Sequence, residues 1–226
     1  MERLLKFFMV ITFVSVLSVI TSCDLEGLGD LVGDYEDVYD EFKQIADQTG
    51  GKITEAEEAE DVPGQIIQII QQQAQGQIGA EIMLLIDKTG SMRDDIDAVV
   101  EGLNLIIDEL PDNARLGLAT YGDKNVDGSE WFSFVDLTSD HDSIKGELDK
   151  IETTGGGDWR ESVFDGIYET IDRATWWDSA PLRLVICIGD APPLTGSDTT
   201  YSLKDVVAKS KELDPAVNVF MIAIKK

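Results

Sequence analysis

Glu81-Ile82-Met83-Leu84-Leu85-Ile86-Asp87-Lys88-Thr89-Gly90-Ser91-Met92-Arg93-Asp94-Asp95 is the stretch from which the fold can be read. An apolar, partly β-branched run enters Asp87, two hydroxyl residues follow at alternate positions, and two more acids come after. That order reads as a buried strand, a turn able to hold a metal, and the start of a helix. Asp87, Thr89 and Ser91 stand at i, i+2 and i+4, so an extended turn directs all three side chains to one place and leaves Lys88 and Gly90 facing away. One carboxylate with two hydroxyls is a hard-oxygen donor set, suited to Mg²⁺, Mn²⁺ or Ca²⁺ and ill suited to zinc or copper. With a single charged ligand the ion stays under-neutralised unless further acids arrive from elsewhere, which leaves room for the carboxylate of a bound partner.

From residue 81 onward, strand and helix patterns alternate. This is the signature of an α/β fold with a doubly wound, mostly parallel, Rossmann-like sheet and helices on both faces. Apolar residues from 96 to 110 form one helical stripe ending at Pro111. Leu116 to Tyr121 and Trp131 to Val135 read as strands joined by a polar loop, an antiparallel hairpin at one sheet edge. Helices are expected after Asp140, across Val163 to Ile171 and around Leu203 to Leu213, and strands over Leu182 to Ile188 and Val217 to Ile224. In an open parallel sheet, ligands bind outside the carboxyl ends of the strands, where Asp87 and Asp190 both fall. Two such acids side by side need a cation to offset their repulsion.

The pattern apolar strand, Asp87, Thr89, Ser91 resembles the metal-ion-dependent adhesion site of von Willebrand factor A domains, usually written Asp-x-Ser-x-Ser. Its continuation through Asp94 and Asp95 is similar to the integrin β-subunit version of that domain, which implies that these two acids help hold a second, adjacent calcium. Gly155-Gly156-Gly157-Asp158-Trp159-Arg160-Glu161-Ser162-Val163-Phe164-Asp165-Gly166-Ile167 resembles the integrin β segment in which Asp-x-Pro-Glu opens a helix. The resemblance implies Glu161 as a direct ligand and Asp158 as a ligand of the adjacent calcium. Arg160 stands where that family has proline, and Gly156 where it has asparagine. Asp190, in Ile188-Gly189-Asp190-Ala191-Pro192, resembles the family's late aspartate, which reaches the metal through water. Thr154 is a reserve ligand, because other branches use a threonine from this loop. On local grounds alone, Asp190 reads equally as a turn aspartate, and Glu161 as an acid favoured by a helix N-terminus.

Asp123-Lys124-Asn125-Val126-Asp127-Gly128 opens like a helix-loop-helix calcium loop, but the twelfth position is Phe134 rather than a bidentate glutamate. Asp123 aligns in order with an integrin β residue of the adjacent calcium; the other reading is a polar hairpin loop. Trp159 lies within the ligand loop, a candidate for partner contact, and His141, the single histidine, reads as a surface residue.

Residues 1–22 carry Arg3 and Lys6 ahead of an apolar run, and Ile20-Thr21-Ser22-Cys23 resembles a bacterial lipobox. The expectation is a lipoprotein signal peptide, with Cys23 lipidated and the protein exported and anchored at the bacterial cell envelope. Residues 23–80 read as a tether and an N-terminal helical segment, with helical spacing at 35–45, an acidic solvated stretch at 55–61 and an isoleucine- and glutamine-rich helix at 65–77. Residues 81–226 read as the domain proper. Such domains finish with a helix after the last strand, and here either the isoleucine-rich segment fills that place or the sequence is a truncated form.

The net charge is −26, and −27 once Glu2, Arg3 and Lys6 are removed with the leader. So acidic a chain has no electrostatic basis for binding nucleic acid or an anionic membrane surface. With Cys23 lipidated, Cys187 has no partner for a disulfide. Asp87-Lys88-Thr89-Gly90 also resembles the phosphorylated-aspartate loop of haloacid-dehalogenase-type phosphatases, with Asp87 as nucleophile. That chemistry needs a lysine ahead of the late acid, and none occurs between Lys150 and Asp190. The expectation is therefore a metal-dependent adhesion module, not an enzyme, that binds a protein partner's carboxylate and takes no small-molecule substrate. A scaffold with a structural metal is the third reading.

Overall fold

The computed structural model describes residues 35–74, 79–108, 110, 113–155 and 159–226. Cys23 and Asp158 lie outside the described residues. The strands are β1 (Ile53–Ala56), β2 (Ala80–Asp87), β3 (Arg115–Tyr121), β4 (Phe132–Thr138), β5 (Leu182–Gly189) and β6 (Val217–Ile224). They form one sheet in the order β1-β6-β5-β2-β3-β4, parallel throughout except for β4, which runs antiparallel to β3 at the edge.

Every residue of β2, β3 and β5 is buried. This is why these strands read as continuous apolar runs: both of their faces are covered. The two-residue period divides their side chains between layers. Ile82, Leu84 and Ile86 join Leu184, Ile186 and Ile188 on one face, beneath Ile66 and Ile69 of α2 (Val62–Ala74), Val99 and Leu103 of α3 (Ile96–Ile107) and Ile144 of the later helix at His141–Leu148. Met83, Leu85, Val185 and Cys187 face the other way, against Val38, Phe42 and Ile45 of α1 (Tyr35–Thr49) and the helices at Val163–Arg173 and Leu203–Ser210.

The segment before residue 80 is part of this layering. Its helices α1 and α2 cover opposite faces, and β1 extends the sheet beside β6, with Ile53 opposite Met221 and Ala56 opposite Ile224. Each large apolar side chain so buried stabilises the fold by about 1.5–3 kcal/mol. Gly51, between α1 and β1, passes β6 so closely that a Cβ there would lie 1.9 Å from the Val219 carbonyl oxygen. The stretch at 55–61, expected to be solvated, has its acids exposed; it begins inside β1 and continues through a short 3₁₀ turn, Ala59–Asp61. The loop between β3 and β4 likewise differs from a plain hairpin loop, since it folds into a single helical turn, α4 (Lys124–Asp127), and a 3₁₀ turn, Gly128–Glu130. The remaining helices are α5 (His141–Leu148), α6 (Val163–Arg173) and α7 (Leu203–Ser210).

Parallel register brings the ends of β2, β3, β5 and β6 to one rim. Asp87 is level with Tyr121, Ile86 with Ile188, and Gly189 with Ala223.

Candidate metal centre

Asp87 closes β2 and is fully buried. Its Oδ1 accepts a hydrogen bond from the Thr89 N–H at 2.8 Å, which curls the chain into the 3₁₀ turn Gly90–Asp94. The Thr89 and Ser91 hydroxyls lie 3.1 Å apart, and Ser91 Oγ donates to Asp190 Oδ1 at 2.8 Å. Asp87, Thr89, Ser91 and Asp190 thus form one contiguous polar set across the ends of β2 and β5. Thr89 and Asp190 are buried, whereas Ser91 is exposed at the mouth.

The other loops are fastened to this set through the backbone. Thr154 N donates to Lys88 O at 2.8 Å, and Lys88 N donates to Tyr121 O at 2.9 Å. Glu161 N donates to Pro192 O at 2.9 Å, and Leu194 N donates to Glu161 O at 2.8 Å. Glu161 is buried, and this bridge fixes it against the loop that follows Asp190. Among the described residues, no three acidic, histidine or cysteine side chains gather closely enough to cage an ion by themselves. The oxygens at this rim are those of Asp87 with the Thr89 and Ser91 hydroxyls beside it, and Asp190 stands behind Ser91.

The electrostatics of the rim are those of two buried acids at neighbouring strand ends. Burial, reinforced by the Asp190 carboxylate, lifts Asp87 from 3.8 to about 7. Asp190 is raised too, first by burial, against the pull of Ser91 and Lys226. Asp87 Oδ2 is buried with no hydrogen-bond partner among the described residues. A buried carboxylate oxygen in that condition is costly unless a cation or donor meets it. The residues present therefore fit a divalent ion bound by Asp87, Thr89 and Ser91.

Sequence reasoning missed three participants. Tyr121 places its buried hydroxyl beside Asp87, and burial, then the charges of Asp87, Asp190 and Glu161 among others, push that hydroxyl well above its usual pKa. The phenol therefore stays neutral. Gly189 leaves room for this arrangement: a Cβ there would lie 2.6 Å from Tyr121 Oη and 3.1 Å from Asp87 Oδ2. Gly-before-Asp in a buried strand was the available signal. Lys226, just past β6, donates to Ser91 O at 2.9 Å, pairs with Asp95 and lies 3.5 Å from Asp190 Oδ2. No local pattern announces a contact between residues so far apart in the chain.

Of the residues expected at an adjacent calcium, Asp158 is outside the described ones, and Asp94, Asp95 and Asp123 have separate surroundings. Asp94 is exposed, Asp95 is paired with Lys226, and Asp123 is buried at the start of α4, where its Oδ1 accepts from Asn125 N at 2.7 Å. Thr154 is exposed and reaches the site through its backbone alone. Trp159 is half-buried against the α1 and α6 face rather than displayed on the rim, and His141 is half-buried with Nε2 3.0 Å from Ala114 O.

Comparison with solved structures finds partial likenesses. The pilus adhesin SpaC of Lactobacillus rhamnosus GG, in its open conformation, is 21% identical with a TM-score of 0.41, over 51% of this chain and 15% of that one. A second crystal form of SpaC gives 19% identity and a TM-score of 0.40, over 51% and 16%. Proximal thread matrix protein 1 of the mussel byssus, solved with a zinc-occupied MIDAS motif, is 18% identical with a TM-score of 0.42, over 65% of this chain and 42% of that one. This chain thus matches well under two thirds of the length of each. No curated protein matches it. Residues 81–222 do match the family model described as the von Willebrand factor A domain. As that match runs from β2 into β6 and takes in more than half of its length, this chain belongs to the von Willebrand factor A domain family.

Proposed function

We propose that the domain binds a protein partner through a divalent metal of the adhesion-site type. Asp87 supplies the buried anionic ligand, Thr89 and Ser91 supply hydroxyl oxygens, Glu161 contributes from the α6 side, and Asp190 acts through water. Mg²⁺ or Mn²⁺ matches the hard-oxygen donors. The metal's contribution is Lewis acidity toward an incoming carboxylate, with no bond broken. Ser91, exposed where the others are buried, marks the side from which the partner arrives. A lipid on Cys23 tethers the domain at the cell envelope.

The observation that carries this reading is the buried pair Asp87 and Asp190 at one rim, with the Thr89 and Ser91 hydroxyls beside them and, among the described residues, no ion pair on Asp87. A structural acid in that position would be expected to have a guanidinium or amide donor against it. Calorimetric titration of Mg²⁺ into the chain tests the reading: wild type takes up the ion and Asp87→Ala does not. Equal uptake by both would sink it. Phosphate release from a generic ester, lost in Asp87→Asn, would favour the phosphatase chemistry in its place.

A further inference from the structure

We infer that Lys226 is a built-in cation, its ammonium filling the place of a second divalent ion beside the Asp87 centre, so that the rim takes one such ion rather than two. The inference rests on the metal-binding reading above only for the ion it lies beside.

Three oxygens converge on Lys226 Nζ: the Ser91 carbonyl at 2.9 Å, the Asp95 carboxylate, and Asp190 Oδ2 at 3.5 Å. Two are anionic, and one belongs to a residue of the metal turn. This is the hard-oxygen, charge-rich donor set that a calcium ion would seek, and the ammonium hydrogen-bonds the first two oxygens while standing within ion-pair distance of the third. A lysine delivered by the chain carries one charge and a fixed address, so it offsets Asp95 and Asp190 at any calcium concentration.

The same position bears on the described acids expected around an adjacent calcium. Asp95 alone faces the ammonium, while Asp94 points to solvent and Asp123 caps α4. Lys226 also ties the end of β6 to the metal turn, so events at Ser91 reach the last strand through one side chain.

Counting bound Ca²⁺ per full chain, by calorimetry with native mass spectrometry, tests the inference. Lys226→Met keeps the length of the side chain and removes the charge, and it is expected to bind one more Ca²⁺ than wild type. Lys226→Met combined with Asp95→Asn is expected to lose that extra ion. Lys226→Gln serves as a second variant should the methionine disturb folding. An unchanged count in both single variants, or two ions already on wild type, would overturn the inference. Failure of the metal-binding reading shows elsewhere, as an ion that Asp87→Ala leaves in place.

Discussion

Replacing Asp87 by asparagine is expected to stabilise the metal-free chain and, at the same time, to abolish its response to magnesium. Burial and the neighbouring Asp190 raise Asp87 from 3.8 to about 7. Above that pH the folded state holds an anion that the unfolded chain exposes to water. Each tenfold change in proton affinity between the folded and unfolded chain is worth about 1.4 kcal/mol, so roughly 4 kcal/mol acts against the folded state at about pH 8. Relaxation and the sharing of a proton with Asp190 reduce this to about 2 kcal/mol, or roughly 4–8 °C for a chain of this length. The amide oxygen can keep the Thr89 N–H bond, 2.8 Å in the parent, and the new N–H donors take the place of the buried Oδ2. Wild type should gain about 2.7 kcal/mol from Mg²⁺ at roughly one hundred times its dissociation constant, and the variant nothing. Urea unfolding followed by tryptophan fluorescence, with chelator and with excess Mg²⁺, reads both effects. A variant less stable than wild type in chelator, or one that still gains from Mg²⁺, would refute the reasoning.

The pH dependence follows with its sign. Between about pH 4 and pH 7 the folded state keeps a proton on Asp87 that the unfolded chain has released, so stability falls as pH rises through that window. The metal-free difference between Asp87→Asn and wild type should therefore be near zero at the acid end and grow toward neutrality, as urea titrations across the range would show. At the opposite end of the sheet, Arg115 pairs with buried Glu81 and donates to Thr175 O at 3.1 Å and Leu137 O at 2.7 Å. Arg115→Ala strands that acid and should cost about 3–5 kcal/mol while leaving metal affinity unchanged. Phe42→Ala, on a helix outside the family match, should cost about 3–5 kcal/mol if α1 is part of the cooperative unit, and a two-step denaturation would say otherwise. Gly189→Ala puts a methyl group between Tyr121 Oη and Asp87 Oδ2, and should weaken Mg²⁺ binding at least tenfold by calorimetry, with the fold retained.

The parts of the molecule that were legible in its sequence are those governed by local period or by continuous burial. β2 and β5 are covered on both faces, so their apolar runs could hardly be anything else, and the acids that follow them had to meet at the rim once the sheet was parallel. The Ser91 to Asp190 hydrogen bond joins residues 99 apart and was implied by that topology. β1 was not legible, because four residues that include Glu55 carry too short a pattern, and their pairing depends on α1 first lying beside β6. Tyr121 was read as the end of a strand, and its part in the site comes from its register with Asp87. Lys226 was invisible for the same reason in stronger form: its contacts are set by where β6 ends, not by any residue near it in sequence.

The rim holds together as an electrostatic argument. Neighbouring parallel strands lie about 4.8 Å apart, so acids placed just beyond β2 and β5 are forced close to each other. Such a pair persists in folded proteins when something positive relieves it or when one member stays protonated. Lys226 relieves only the Asp190 side, by way of Asp95 and Ser91, and among the described residues no ion pair reaches Asp87. The chain has spent its lysine on the outer acid and left the inner one, with two hydroxyls beside it, to a cation from solution. If Asp87 proved to be protonated and indifferent to Mg²⁺ at neutral pH, the second means of relief would suffice, and the rim would be a buried acid pair rather than a binding centre.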